Sequence, residues 1–227
     1  MRESAGATVS ACFCHHPPDL TMRLLAILLL TAVIFPADHV DLRSDKLDTG
    51  LEKYEIDPEH AFIAFRVERF NVGIVLARFN EVAGTIMFDA DDPTNTSADI
   101  TIQTASFDSA LPDRRDKDLK SAFWLDVENH PEITFKTKRI EKTESGYAAI
   151  GDLTIKGITN EIELPFTIRG PSLDLPTQLM SIGISGQITI NRHDYGLTFD
   201  KRLENGAPFI GNEVDIELHV VGLKVED

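Results

Sequence analysis

The chain has 227 residues, of which 42% are hydrophobic and 7% aromatic, with 14 Gly and 11 Pro. This composition excludes a collagen, a coiled coil and a fully disordered chain. Because 37 acidic residues against 22 Lys and Arg leave a formal net charge of −15, the surface would repel a phosphate backbone, and we expect no nucleic-acid partner.

The first marked feature along the chain is an apolar run over residues 24–35 that follows a single basic residue. This run is too short to span a bilayer and has the order of a secretory signal peptide. We therefore predict a signal peptide over residues 22–37, cleaved after Ala37, and an exported, periplasmic protein. Residues 1–21 are then a non-structural extension that arises from an early start codon.

The next segment, residues 38–51, is polar and aperiodic, which is typical of a flexible arm. The remaining residues, 52–227, have the length of one domain. Both cysteines, Cys12 and Cys14, precede the predicted cleavage site, so the mature chain has no thiol.

Eight segments of the domain alternate between apolar and polar residues with a period of two, which predicts strands with one wet face. Such strands favour an antiparallel sheet, and closing eight of them into an up-and-down barrel removes the exposed edges. The predicted fold is therefore an all-β, eight-stranded antiparallel, lipocalin-like barrel. The predicted strands are residues 61–67, 84–89, 98–103, 132–136, 147–156, 161–169, 181–191 and 213–220.

One or two short helices interrupt this pattern. Pro112 and Asp113 are typical of a helix start and predict a helix over residues 114–122. A second short turn is predicted over residues 70–75.

The domain has no recognisable catalytic or metal motif. It contains neither His-Glu-x-x-His nor Gly-x-Ser-x-Gly, and Pro93 and Thr94 interrupt the calcium-loop pattern that begins at Asp89. We expect no metal, no cofactor and no enzymatic activity.

Arg115, in a dense charge run, has two interpretations: a solvated helix start, or a contact to a polar ligand head at the barrel mouth. His60 is similarly interpreted either as a histidine hydrogen-bonded to the backbone or as a ligand contact.

Several segments resemble motifs of the YceI-like family of bacterial lipid- and polyisoprenoid-binding proteins. The resemblance extends from about residue 54 to 221. The segments are DPEH at 57–60, SFDS at 106–109, RDKDLKS at 115–121, HPEITF at 130–135, GDLTIKGIT at 151–159 and NRHDYGL at 191–197.

The resemblance implies a barrel whose cavity takes a long isoprenoid chain, or the tail of a quinone, and an exported carrier. Transient membrane contact is compatible with this role, and a homodimer is left open. Arg69 stands where the family often has a second His, and this departure implies a preference for an anionic or strongly polar head.

The residues on the inward face of the predicted strands are the candidate cavity walls. Three further residues are candidates for contacting the polar head of the ligand. Two alternatives stay open: a small-molecule hydrolase or isomerase that uses the same cavity, and a structural or interaction domain whose barrel is filled by its own side chains. The walls are Phe65, Val67, Phe79, Phe88, Ile100, Ile102, Phe135, Ile155, Leu164 and Phe166, and the head contacts are His60, Arg69 and Arg115.

Overall fold

A computed structural model describes residues 50–226 of the protein. The predicted signal peptide and nearly all of the predicted arm lie outside the described residues. Eleven strands form one antiparallel sheet. They are β1 (Leu51–Ile56), β2 (Phe62–Arg69), β3 (Gly73–Phe79), β4 (Val82–Asp89), β5 (Ser97–Gln103), β6 (Phe107–Asp108), β7 (Glu132–Thr143), β8 (Gly146–Ile155), β9 (Ile158–Leu173), β10 (Met180–Asn191) and β11 (Glu213–Lys224).

Eight of these strands close into a barrel, which confirms the predicted fold class. Their order is β1-β4-β5-β7-β8-β9-β10-β11, and β11 pairs back onto β1 with Tyr54 opposite Lys224. Full closure satisfies the backbone hydrogen bonds of each barrel strand without leaving a free edge.

The other three strands lengthen the barrel at one end. The later residues of β11 pair with β1, whereas its earlier residues pair with β2, where Val214 lies opposite Val67. β1 and β2 therefore follow one another along β11, separated by a 3-10 turn at Pro58–His60. β3 pairs with β2, and the short β6 pairs with the end of β3.

The eight predicted strands coincide with β2, β4, β5 and β7 to β11, but three further strands, β1, β3 and the two-residue β6, escaped the pattern. In β3, Val75, Ala77 and Phe79 are buried, yet the outward Ile74 and Leu76 are also apolar and exposed, so no polar alternation is visible. The turn predicted over residues 70–75 ends at residue 72, because β3 begins at Gly73. β1 begins at Leu51, the last residue of the predicted arm.

The helix predicted over residues 114–122 is shorter and less regular than expected. A π-helical turn at Pro112–Asp116 leads into α1 (Lys117–Lys120), which ends because Ser121 adopts an extended backbone conformation. Further 3-10 turns lie at Pro93–Asn95, Thr104–Ser106 and Arg192–Tyr195. No helix within residues 50–226 combines the length and the apolar character needed to cross a bilayer.

Candidate functional site

The barrel encloses a cavity of about 420 Å³ whose walls are the inward side chains of the strands. Eleven of the thirteen predicted site residues line it, because the period of two places alternate residues of each strand on the inner face. These residues are Phe65, Val67, Arg69, Phe79, Ile100, Ile102, Arg115, Phe135, Ile155, Leu164 and Phe166.

The other two predicted residues lie elsewhere. Phe88 points inward but is packed in the core against Tyr54, with ring centroids 6.0 Å apart, so it is not part of the cavity wall. His60 lies in the turn between β1 and β2, where its side chain is 61% exposed. Its Nδ1 lies 2.6 Å from Oδ2 of Asp57, and this hydrogen bond raises the pKa of His60 above its ordinary value.

The charged side chains of the cavity wall are concentrated at one end of the barrel, which we call the arginine end. Arg69 ends β2, Arg114 and Arg115 lie in the π-helical turn, and Arg192 directly follows β10. Asp118 of α1 is the only carboxylate among the described lining residues.

The opposite end, which we call the hairpin end, carries the connections of β7 to β8 (residues 144–145) and of β9 to β10 (residues 174–179). β10 begins beside the second connection and ends at Asn191, immediately before Arg192. Away from the arginine end, the polar lining residues include the uncharged Thr96 and Thr137. The cavity is thus an apolar space with charged side chains at one end.

Stacking on two aromatic rings holds Arg69 in place. The Cζ atom of Arg69 lies 4.0 Å from the ring centroid of Phe70 and 5.5 Å from that of Phe209. Phe70 and Asn71 both have a φ of 58°, and this left-handed turn brings the Phe70 ring back towards Arg69. Since cation–π stacking engages the face of the guanidinium, its N–H edges are left available to donate.

A buried carboxylate supports the turn that carries Arg114 and Arg115. Asp116 is 5% exposed and accepts hydrogen bonds from the backbone N–H and the hydroxyl of Ser109. The N–H of Asp116 donates to the carbonyl of Leu111 at 3.1 Å. These bonds fix the turn although it is too short to be stable as a helix by itself.

Arg192 organises the loop that follows the 3-10 turn. It is 3% exposed, and its guanidinium donates to the carbonyls of Gly211 at 2.8 Å, Phe199 at 2.6 Å and Leu197, and to Oδ1 of Asn212 at 2.9 Å. Burial lowers the pKa of Arg192 from its ordinary value. Sequence reasoning quoted Arg192 within a motif but gave it no role, because nothing local shows that its partners lie up to 20 residues away.

Five aromatic rings surround the arginine end and join segments that are distant in sequence. Consecutive ring centroids along the series Phe70, Phe209, Phe199, Trp124 and Phe123 are 4.9, 5.4, 5.3 and 5.6 Å apart. None of them was a predicted site residue, because they lie in loops without a periodic pattern.

Among residues 50–226, no group of three or more His, Cys, Asp and Glu side chains is close enough to hold a metal ion. The described cavity wall likewise contains no Ser, Cys or His.

The sequence matches a family model described as the YceI-like domain over residues 54–222. Among curated relatives, a UPF0312 protein of Serratia proteamaculans is 34% identical over 149 residues, which cover 65% of this chain and 77% of the relative. A UPF0312 protein of Yersinia pestis is 31% identical over 175 residues, covering 76% of this chain and 87% of the relative.

The solved structures that share the fold include the following two. Burkholderia cenocepacia BcnA has a TM-score of 0.62 at 23% identity, covering 73% of this chain and 98% of its own. A polyisoprenoid binding domain from Saccharophagus degradans has a TM-score of 0.57 at 14% identity, covering 76% of this chain and 98% of its own.

Proposed function

The chain belongs to the YceI-like family, and on this premise we propose that it is a carrier that holds an isoprenoid lipid in the barrel cavity. The observation that carries the proposal is the polarity of the cavity, which is lined by Ile, Leu, Val and Phe along its length and by arginines at one end. This arrangement matches an amphiphile with a hydrocarbon tail and a polar head. The Saccharophagus degradans neighbour, described as polyisoprenoid binding, supports the same class of ligand.

The size of the cavity agrees with such a tail. Its volume of about 420 Å³ lies within the range of about 300–1,000 Å³ typical of ligand sites. Since a cavity of about 150 Å³ accommodates one benzene, the barrel has room for roughly 15 to 20 carbon atoms. A longer isoprenoid or a quinone would extend past the arginine end.

The energetics assign different roles to tail and head. Burying about 15 methylene-sized groups contributes roughly 12 kcal/mol at about 0.8 kcal/mol each. Association and ordering oppose this with about 4–15 kcal/mol. Because these two quantities are similar, contacts to the head decide whether binding is tight.

The two alternative functions have less support. A hydrolase or isomerase would need a nucleophile or base facing its substrate, and the described cavity wall offers only Asp118, Tyr195 and two threonines as candidates. A filled barrel conflicts with the volume of the cavity. We therefore propose binding and transport without catalysis.

Export is part of the proposal and is supported by the apolar segment over residues 24–35. N-terminal sequencing of the mature protein from its host would check cleavage after Ala37, and a protein that keeps residues 24–35 would contradict export.

Transient membrane contact through the arginine end is a further part of the proposal. Val72 and Ile74, beside Arg69, are 89% and 57% exposed, and Phe123 is 62% exposed. Exposed apolar residues next to arginines are suited to an anionic lipid surface.

Native mass spectrometry of the protein purified from its own host tests the carrier function, with a co-purifying isoprenoid as the expected result. A matched pair of variants locates the site. Ala98 lines the cavity, so Ala98→Phe should reduce lipid occupancy at least fivefold. Ala64 lies in β2 between the inward Ile63 and Phe65, so Ala64→Phe on the outer face should leave occupancy unchanged. Absence of lipid from the wild-type protein, or equal occupancy in both folded variants, would contradict the proposal.

A further inference from the structure

The arginine end has a strong excess of positive charge in an otherwise acidic protein. Four arginines and one aspartate line this part of the cavity, although the chain as a whole has 37 acidic and 22 basic residues. The net charge of the lining residues at this end is therefore opposite in sign to that of the molecule.

Three of these arginines have no acidic partner in the described part of the chain. Arg69, Arg114 and Arg115 form no ion pair with any carboxylate of residues 50–226, and Arg69 interacts instead with two aromatic rings. Arginines on other surfaces behave differently, because several pair with a carboxylate. These pairs are Arg66 with Asp215, Arg78 with Asp108, Arg139 with Glu141, and Arg202 with Asp200.

The fourth arginine adds a buried positive charge. All the acceptors that Arg192 contacts are neutral carbonyl or amide oxygens. These bonds satisfy its N–H donors without an ion pair. Asp200 acts on the guanidinium only through space, and its carboxylate pairs with Arg202. A buried cation of this kind favours an anion in the adjacent cavity, because charge interactions are stronger where water is excluded.

Guanidinium groups recognise phosphate with particular strength. Each presents a planar set of N–H donors that can form two parallel hydrogen bonds to phosphate oxygens. Arg69, stacked on the Phe70 ring, and Arg115, on a turn fixed by Asp116, are both preorganised for such contacts.

We propose that the ligand head is a phosphate or diphosphate, so that the cargo is a phosphorylated isoprenoid rather than a neutral one. This inference rests on the proposed function, since it assigns the head group of the lipid whose tail fills the cavity. Arg69 and Arg115 donate to the phosphate oxygens, Arg114 contributes charge, and Arg192 acts through the positive field of its buried guanidinium.

Three probes separate the head from the tail: farnesyl monophosphate, farnesol and inorganic phosphate. The two farnesyl probes share a 15-carbon tail that suits the cavity volume. Trp124, the only tryptophan of the chain, lies in the cavity wall at the arginine end, so its fluorescence reports binding. We expect farnesyl monophosphate to bind at least tenfold more tightly than farnesol, and inorganic phosphate to compete only weakly.

Salt and substitutions then test the arginines. Raising the salt concentration from about 0.1 M to 1 M shortens the screening length from about 10 Å to 3 Å, so the preference for farnesyl monophosphate should shrink while farnesol binding persists. The double substitution Arg69→Gln with Arg115→Gln should weaken farnesyl monophosphate binding at least tenfold and change farnesol binding less than twofold. Arg139→Gln is the matched control, because Arg139 lies on β7 outside the cavity wall.

The outcomes distinguish the two proposals. Equal affinity for farnesyl monophosphate and farnesol would overturn the phosphate head and leave the carrier function standing. Failure of both farnesyl probes to bind would overturn both proposals. Inorganic phosphate that binds as tightly as farnesyl monophosphate would overturn the lipid phosphate in favour of a free anion site. Because the salt series uses only the wild-type protein, it can still refute the proposal if the double variant does not fold.

Discussion

The two ends of the barrel are built by different physical means. At the hairpin end, strands continue into short connections, and backbone ladders such as β7 with β8 provide most of the order. At the arginine end, apart from tight turns such as the two residues between β8 and β9 (156–157), the chain leaves the sheet in long irregular segments. These segments are held by buried side chains that bond to the backbone, as Arg192 and Asp116 do. The ladders stabilise the barrel without occupying its interior, and this leaves loop side chains at the other end free to contact a ligand.

The largest effect on stability is expected from removing Arg192, the side chain that holds the loop at the arginine end. Arg192→Ala leaves three carbonyls and one amide oxygen without their buried donor, so we expect the free energy of unfolding to fall by at least ~3 kcal/mol. Urea denaturation measures the effect. The control Arg139→Ala removes an exposed pair and should cost less than ~1 kcal/mol. Similar losses in the two variants would mean that Arg192 does not organise the loop.

A second test compares two carboxylates, one from each end, that accept hydrogen bonds from backbone N–H groups. Asp116→Ala removes the acceptor for the backbone N–H of Ser109, which should cost about 1–3 kcal/mol and weaken farnesyl monophosphate binding through the displaced arginines. Asp89, near the hairpin end, accepts from the N–H groups of Asp91 and Asp92, and the side-chain amide of Asn95 also donates to it and lowers its pKa. Asp89→Ala should lower the melting temperature and leave the affinity unchanged. Loss of affinity in both variants would contradict the separation of the ends.

Membrane contact should also distinguish the ends. Substituting Val72→Glu with Ile74→Glu places two acidic groups beside Arg69, and we expect at least tenfold weaker sedimentation with vesicles of phosphatidylcholine and phosphatidylglycerol. Leu175, which is 73% exposed in the connection at the hairpin end, provides the control Leu175→Glu. If the control loses binding equally, the contact is not specific to the arginine end.

The smallest expected effect is the pH dependence of stability that His60 causes. His60 lies on the side of the hairpin end, where Asp174 of the β9 to β10 connection also raises its pKa. The hydrogen bond that the His60 ring donates to the Asp57 carboxylate raises the folded pKa of His60 above its unfolded value. The stability that His60 contributes is therefore fully present below pH 6.5 and is lost as the pH rises through the folded pKa. Melting temperatures measured between pH 5.5 and 8.5 should show a slight decline that His60→Gln removes. Arg115→Gln should keep the decline, because guanidinium groups do not titrate in this range.

The contrast between the ends also describes how far sequence reasoning reached. Alternation identified β7 to β11, and in these strands it identified the inward residues as well, because polar residues mark the wet face. It failed at β3, where Ile74 and Leu76 are apolar but exposed. The family resemblance supplied Arg69 as a site residue and the dense charge run supplied Arg115, but neither gave a role to Arg192 or to the aromatic loop residues Phe199 and Phe209.

By itself, the sequence determined eight of the eleven strands, their inward faces and the barrel class, because a period of two is a local property that each of these segments carries alone. Only the tertiary structure decided that Phe88 packs against Tyr54 while Phe65 faces the cavity, and that arginines from residues 69, 114, 115 and 192 meet at one end. Those outcomes depend on strand tilt, on closure and on loops fixed by distant partners. No local pattern records such relationships between segments that are far apart in the chain.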